Sequence, residues 1–157
     1  ASDEEAVLEN KIAEYDAFLT KQDPAFTVEE LEEAMQKVMD QYAGGIGTHY
    51  QFNEKQLAMA EEKIKKLQIL AEGLKAEDMH ELMFIYELKE RLTVCLTVIA
   101  HLRARKETRW HSFAENLDYP EKSDAWLCYV NSKKNGDQIT MIRRDLVKGG
   151  ETYEHRD

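Results

Sequence analysis

The chain has 157 residues, of which 33% are charged and 43% hydrophobic, a balance typical of one globular domain. Its net charge of −10 argues against a general nucleic-acid-binding protein and against a protein that binds anionic membranes. No uncharged apolar run is long enough for a secretory signal or a membrane-spanning helix. We therefore expect no nucleic-acid partner and no direct membrane insertion.

Three amphipathic helices are predicted in the first half of the chain. Each begins where a polar residue is followed three positions later by Glu or Gln, the pattern of a capping box, which satisfies the first free amides of a helix. The three pairs are Ser2 with Glu5, Thr27 with Glu30, and Asn53 with Gln56. Apolar residues then recur every three or four positions, as on the buried face of a helix. In the first helix these residues are Leu8, Ile12, Tyr15 and Leu19.

A glycine-rich segment, residues 44–47, separates the second helix from the third. It is not a dinucleotide-binding fingerprint, because Tyr50 stands where the third glycine of GxGxxG is needed and a helix, not a strand, precedes it. We interpret it as a loop between helices. The alternative is a stretch of backbone that lies close to a partner.

A fourth helix is predicted from about Asp78 to about Lys106. Its apolar stripe, from Ile85 to Leu102, is accompanied by further apolar residues on neighbouring faces, such as Val94. An apolar surface that wide indicates a central helix, which other elements contact from several sides.

Beyond residue 110 the pattern changes from helical spacing to alternation. Residues 125–132 and 138–147 alternate as strands do, and Asn135-Gly136 between them signals a tight turn. The predicted fold class is mainly α, an up-down bundle of three to four helices with a C-terminal β-hairpin extension. We expect a single domain over residues 1–157, with the bundle at about 1–110 and a loop and hairpin tail at about 111–157.

The usual catalytic and metal-binding patterns are missing from the sequence. The five histidines form no HExxH motif and no pair at metal-ligand spacing. No Ser or Cys lies in a nucleophile elbow. Cys95 and Cys128 lack CxxC spacing, and we expect them to be reduced thiols of a cytoplasmic protein. The prediction for this chain is no catalytic residue, no metal and no cofactor of its own.

Basic residues gather at the end of the fourth helix, although the chain as a whole is acidic. All seven arginines lie at or after Arg91, while residues 1–78 carry 18 acids and 8 lysines. Cations near the C-terminal end of a helix interact favourably with its dipole, which is one explanation of the cluster. It does not explain Glu107 among the bases or the aromatic residues that follow, since Arg mixed with aromatics is typical of interface cores. We expect Glu107 to pair with a nearby Arg and to fix the exit of the chain from the helix.

The segment "RKETRW…LDYPEKSD" resembles R-x-E-S-R-G-A-H-x-R-x-D-Y-P-x-R-x-D, found late in the flavoprotein subunits of succinate dehydrogenase, fumarate reductase and L-aspartate oxidase. The chain departs from this motif at residues 110–112, where the family has Gly-Ala-His, so no catalytic role is carried over to His111. The segments "MDQYAGG", "NEKQL", "HELM" and "ETRW" resemble more closely the adenylylsulfate reductase alpha subunits within this family. The matching residues of the motif are Arg105, Glu107, Thr108 (for Ser), Arg109, Asp118, Tyr119, Pro120 and Asp124.

The resemblance implies the C-terminal helical domain of a larger oxidoreductase, with FAD bound by an upstream domain that this chain lacks. The parent would reduce adenylylsulfate to sulfite and AMP, or act like fumarate reductase or succinate dehydrogenase. The implied partners are the FAD-binding domain of the same parent chain and an iron–sulfur subunit. The alternative is a stand-alone helical interaction module with no redox parent. The candidate docking residues are Arg103, Arg105, Glu107, Arg109, Trp110, Asp118 and Tyr119.

Overall fold

The computed structural model describes residues 2–147 and shows four α-helices followed by a β-hairpin. The helices are α1 (Asp3–Leu19), α2 (Val28–Tyr42), α3 (Glu54–Ala71) and α4 (Met79–Ala104). The strands are β1 (Gln51–Phe52), β2 (Glu115–Asn116), β3 (Cys128–Asn135) and β4 (Gln138–Asp145). Strand β1 pairs in parallel with β2, and β3 pairs antiparallel with β4. The predicted fold class, mainly α with a C-terminal hairpin, is confirmed.

Helix α4 is the central element, as its wide apolar surface predicts. It contacts α1, α2, α3 and both strands of the hairpin. Ile85, Leu88 and Leu92 on its inner face are completely buried in one core together with residues of α2 and α3. Within residues 2–147, neither α4 nor any other helix is both long and apolar enough to cross a membrane.

The predicted capping residues begin their helices, but only the first pair forms a full capping box. Ser2 accepts a hydrogen bond from the amide of Glu5, and the Glu5 side chain accepts one from the amide of Ser2. At α2 and α3 only the forward bonds form, from the Glu30 amide to Thr27 and from the Gln56 amide to Asn53. The local sequence therefore determines where these helices start.

The apolar stripe predicted for α1 is only half buried, which corrects the expectation that its whole face packs on the bundle. Phe18 is buried and its carbonyl accepts a hydrogen bond from the Ala76 amide at 3.1 Å. Leu8 and Ile12, by contrast, are 61% and 49% exposed. Only the C-terminal half of α1 reaches α4, and the first half extends beyond it.

The glycine-rich segment forms a tight loop between α2 and β1, as interpreted from the sequence. A Cβ atom on Gly45 would lie 2.4 Å from the Cα atom of Asp40, so no larger residue fits there. The Asp40 carboxylate accepts a hydrogen bond from the Gly47 amide at 2.9 Å. The loop directs the chain into β1, whose Phe52 enters the core and whose partner β2 comes from the segment after α4.

The hairpin turn lies one residue beyond the predicted Asn-Gly position. Asn135 pairs with Gln138, so the two loop residues are Gly136 and Asp137. Gly136 has a φ of +58°, and a positive φ at the first loop residue is what a type II′ hairpin turn requires. The turn thus uses glycine's conformational freedom, but with Asn135 as the last strand residue.

Candidate docking site at the end of α4

Glu107 lies three residues beyond α4, and its side chain is completely buried. Its Oε1 atom accepts hydrogen bonds from Arg105 Nη1 at 2.7 Å and from Arg109 Nε at 2.9 Å. Its Oε2 atom accepts from Arg109 Nη2 at 3.0 Å and from the Ser123 amide at 2.9 Å. Burial removes the carboxylate from water, and the charged hydrogen bonds to both of its oxygens offset the free-energy cost of that desolvation. The predicted pairing of Glu107 is therefore present, but in a buried setting.

The same two arginines also hold the segment that leads into the hairpin. Arg105 donates to the carbonyl of Trp126 at 2.7 Å and to that of Cys128 at 2.9 Å. Arg109 donates to the carbonyl of Ser123 at 3.2 Å. These guanidinium groups bind loop carbonyls and not the last carbonyls of α4, so the helix-dipole explanation does not account for them. They fasten the end of the central helix to the start of β3.

Thr108 occupies the position that the family motif gives as Ser, and its hydroxyl is buried. The hydroxyl donates to the carbonyl of Tyr119 at 2.8 Å and accepts from the Asn116 amide at 3.0 Å. The Thr108 amide donates to the carbonyl of Glu121 at 3.2 Å. Because Ser and Thr share this hydroxyl, the substitution keeps the bonds that fold the loop back on itself.

Two further predicted docking residues hold α3 in place. The Asp118 carboxylate accepts a hydrogen bond from the first amide of α3, at Glu54, at 2.7 Å. Arg103 donates through Nε to the Glu54 carboxylate at 3.0 Å and also bonds Glu61. Tyr119 is partly exposed, with the Lys106 ammonium 5.9 Å from the ring centroid. Arg103 and Asp118 therefore serve contacts within the domain.

Trp110 stands at the surface, in contrast to the buried Glu107 cluster beneath it. Its side chain is 68% exposed, and Phe113, which donates its amide to the Trp110 carbonyl, is 74% exposed. Trp110 borders a cavity of about 300 Å³, which Leu127 and Tyr129 also line. Both of those residues are more than half exposed. We name this surface the Trp110 face and define it by Trp110, Phe113, Leu127 and Tyr129.

The sequence alone did not reveal that Ser123 and Asn116 belong to this site. Ser123 supplies the backbone amide that binds Glu107, and Asn116 supplies the amide that binds Thr108. Asn116 also accepts the Asp118 amide at 3.0 Å through its side-chain oxygen. Backbone amides carry no residue signature, and a β2 of only two residues is too short for a periodic signal.

Two carboxylates have strongly lowered pKa values. Burial raises the pKa of Glu107, but hydrogen bonds from Arg109, the Ser123 amide and Arg105 outweigh it and lower the pKa from 4.5 to about 2. At α1, the Tyr86 hydroxyl donates to Glu14 at 2.6 Å and is the largest cause that lowers the pKa of Glu14 to about 2. The ionised forms of both carboxylates therefore stabilise the folded state.

The free energy of unfolding is expected to decrease as the pH falls from about 5 to about 2. The folded-state pKa of Glu107 lies below its unfolded value, so its contribution is present above pH 4.5 and is lost as the pH falls through about 2. Urea denaturation at pH 7, 4 and 3 measures this slope. Glu107→Gln should make the slope shallower, and an unchanged slope in that variant would assign the acid sensitivity to Glu14 and other carboxylates.

Comparison with known proteins places these features in a family. Residues 32–151 match the family described as fumarate reductase flavoprotein C-term. The alpha subunit of adenylylsulfate reductase from Megalodesulfovibrio gigas is 33% identical over 98 residues, which are 62% of this chain and 15% of that protein. The chain thus spans a small part of its curated relative's length.

Solved structures agree with the family match. Adenylylsulfate reductase from Archaeoglobus fulgidus superposes with a TM-score of 0.84 and 34% identity, over 97% of this chain and 26% of that chain. A variant of E. coli quinol fumarate reductase shares the fold, with a TM-score of 0.74 and 18% identity, over 96% of this chain and 26% of that chain. Because the family match covers most of the chain, including the Glu107 cluster, the chain belongs to the family of fumarate reductase flavoprotein C-terminal domains.

Proposed function

We propose that this domain is the C-terminal structural and docking domain of an FAD-dependent oxidoreductase flavoprotein subunit, with an adenylylsulfate reductase as its parent. The observation that carries the proposal is the similarity over 97% of the chain to the Archaeoglobus adenylylsulfate reductase, at 34% identity and a TM-score of 0.84. The fumarate reductase similarity is weaker, at 18% identity and a TM-score of 0.74. The parent would reduce adenylylsulfate to sulfite and AMP in the cytoplasm.

In this proposal the flavin binds outside the domain. Bound to the parent, FAD would supply the hydride-equivalent chemistry, with electrons from iron–sulfur clusters on a second subunit. The glycines of residues 44–47 do not fit a phosphate-binding role, because they follow a helix and because Gly45 and Gly47 pack against Asp40. The contribution of this chain is to hold the parent's domains and subunits together.

The docking role is divided between a buried scaffold and an exposed contact surface. Arg105, Glu107 and Arg109 are the scaffold, because their hydrogen bonds are made within the domain. The Trp110 face is the contact surface, since its large apolar side chains are exposed and three of them, Trp110, Leu127 and Tyr129, line one cavity. Exposed Trp and Tyr are typical anchors of protein interfaces. The proposed partner of this face is the iron–sulfur subunit.

The purified 157-residue chain is expected to be colourless and to bind no FAD. Dinucleotide binding requires a strand, a phosphate-binding turn and a helix in that order, whereas the glycine-rich segment of this chain follows helix α2. Titration of FAD with the chain should give no saturable change in flavin fluorescence. Micromolar binding would contradict the proposed location of the cofactor.

The experiment that tests the proposed function is the isolation of the natural protein with an antibody against this domain. Because the chain covers 26% of the Archaeoglobus structure's chain, the natural polypeptide should be about four times as long. It should carry FAD whose absorbance is bleached by sulfite with AMP and not by succinate. A polypeptide of this chain's own length without flavin would favour the stand-alone interaction module.

A further inference from the structure

Helix α1 adds little to the core that the other three helices form. Of the residues of α1, all of which the structure describes, Phe18 alone is buried. Tyr15 and Leu19 are partly buried against the same core, and the Phe18 carbonyl accepts the Ala76 amide at 3.1 Å. The other core residues come from α2, α3, α4, β1 and the short segments between them. The core of the bundle is therefore nearly complete without α1.

Polar contacts at one place connect α1 to α4. The Tyr86 hydroxyl of α4 donates to the Glu14 carboxylate of α1 at 2.6 Å. Lys89, about one turn further along α4, donates to the same carboxylate at 3.3 Å. Lys89 also forms an ion pair, at 2.9 Å, with Glu72, which caps the C-terminal end of α3. We name these four residues, Glu14, Glu72, Tyr86 and Lys89, the Lys89 cluster.

The Lys89 ammonium group also contacts aromatic rings of both helices. Its Nζ atom lies 5.4 Å from the ring centroid of Phe18 in α1 and 5.2 Å from that of Tyr86 in α4. A cation within about 6 Å of a ring centroid is attracted by the quadrupole of the ring. The Tyr86 ring in turn packs edge-on against Phe18, with 5.9 Å between their centroids. One ammonium group thus binds an acidic and an aromatic side chain of α1 at the same time.

The charges around α1 balance only while Lys89 carries its charge. Two cations, Lys11 and Lys89, oppose two carboxylates, Glu14 and Glu72. A hydrogen bond from Tyr86 and weaker contributions from Lys11 and Lys89 lower the pKa of Glu14 to about 2, so Glu14 is ionised at neutral pH. If Lys89 were neutral, the two carboxylates that it now bridges would repel each other.

We propose that α1 is a detachable element whose attachment depends on the Lys89 cluster, and that it leaves α4 as a unit while α2, α3 and α4 stay folded. Segments with few buried apolar contacts open locally at a lower free energy than the core does. Helix α1 is such a segment, because it combines one buried side chain with a set of polar contacts at one end. The family match, which begins at residue 32, also leaves α1 out. The inference concerns the chain itself and does not depend on the proposed function.

Hydrogen–deuterium exchange of the 157-residue chain at pH 7 tests this inference. Lys89→Gln should speed exchange of the amides of residues 14–19 by about ten-fold or more, because it removes two ion pairs and the cation beside the rings. The amides of residues 57–67 in α3 should change by less than about two-fold, since the core stays folded. Tyr86→Phe keeps the ring but removes the hydroxyl, and it should act in the same direction.

Lys66→Gln is the matched control, because Lys66 is an exposed lysine of α3 that pairs with Glu62 at 3.0 Å. It should change exchange in neither region. If either cluster variant accelerates residues 57–67 as much as residues 14–19, or does not fold at all, α1 is not a separate unit and the inference is overturned. Unchanged exchange of residues 14–19 in both cluster variants would overturn it as well, because the apolar contacts of Phe18 would then suffice to hold α1.

Discussion

Replacing Glu107 with alanine is expected to lower the free energy of unfolding by about 3 kcal/mol, a typical cost for breaking a buried ion pair. The variant removes the acceptor of four hydrogen bonds, from Arg105, from Arg109 twice and from the Ser123 amide. It leaves two guanidinium groups facing each other with no carboxylate between them. Urea denaturation at pH 7 measures the loss.

Two variants separate this effect from a general effect of removing charge. Glu107→Gln keeps the shape and the acceptor oxygen, so it should cost less than the alanine variant. Glu33→Ala removes an exposed carboxylate that pairs with Lys37 at 2.8 Å and should leave the unfolding free energy unchanged within error. If Glu107→Ala lowers the unfolding free energy by less than about 1 kcal/mol, the loss equals that of an exposed ion pair and contradicts the buried cluster.

The sequence predicts the Glu107 pairing but not its burial, and the reason lies in the range of the contacts. Arg105 and Arg109 are two residues from Glu107, so their pairing is a local property. The Glu107 side chain is buried because the loop comes back to it at Ser123, which is 16 residues further along the chain. Nothing in the local pattern specifies that return. Local sequence alone therefore does not distinguish an exposed pair, worth about 0–1 kcal/mol, from the buried cluster that the fold forms.

Helix boundaries show the opposite case, because they depend on neighbouring residues. The caps at Ser2, Thr27 and Asn53 and the start of α4 after Asp78 each rest on a side chain that binds an amide three residues away. The burial of α1 could not be predicted in this way. Its stripe shows which face is apolar, but how far α4 covers that face depends on where the two helices cross.

The candidate docking residues fall into two groups for a related reason. Clustering in sequence brings Arg103, Arg105, Arg109 and Trp110 together, and residue type predicts an interface for all four. The structure gives the three arginines acceptors on α3, Glu107 and loop carbonyls. It leaves the aromatic side chains of the Trp110 face exposed. Arginine has five donors and finds acceptors within its own domain, whereas an exposed indole ring gains only from an apolar partner.

Replacing Trp110 and Phe113 with alanine in the proposed parent flavoprotein is expected to weaken binding of its proposed partner, the iron–sulfur subunit, by about 30-fold or more. Loss of an exposed aromatic anchor at an interface typically costs 2 kcal/mol or more, and about 1.4 kcal/mol corresponds to a factor of ten. The same double variant in the 157-residue chain should keep its unfolding free energy within about 0.5 kcal/mol, because both side chains lie at the surface. Calorimetry with the purified subunit gives the affinity.

Arg105→Ala with Arg109→Ala provides the contrast that separates scaffold from contact. These variants should destabilise the chain itself, since they remove donors to Glu107 and to the carbonyls of Ser123, Trp126 and Cys128. The affinity for the iron–sulfur subunit should then fall only to the extent that the loop bound by these arginines changes its conformation. Ile69→Ala on α3 should alter neither stability nor affinity. If affinity is unchanged in the Trp110 variant while the arginine variant loses flavin reduction by an artificial donor, the Trp110 face is not the docking surface and the arginines act near the flavin.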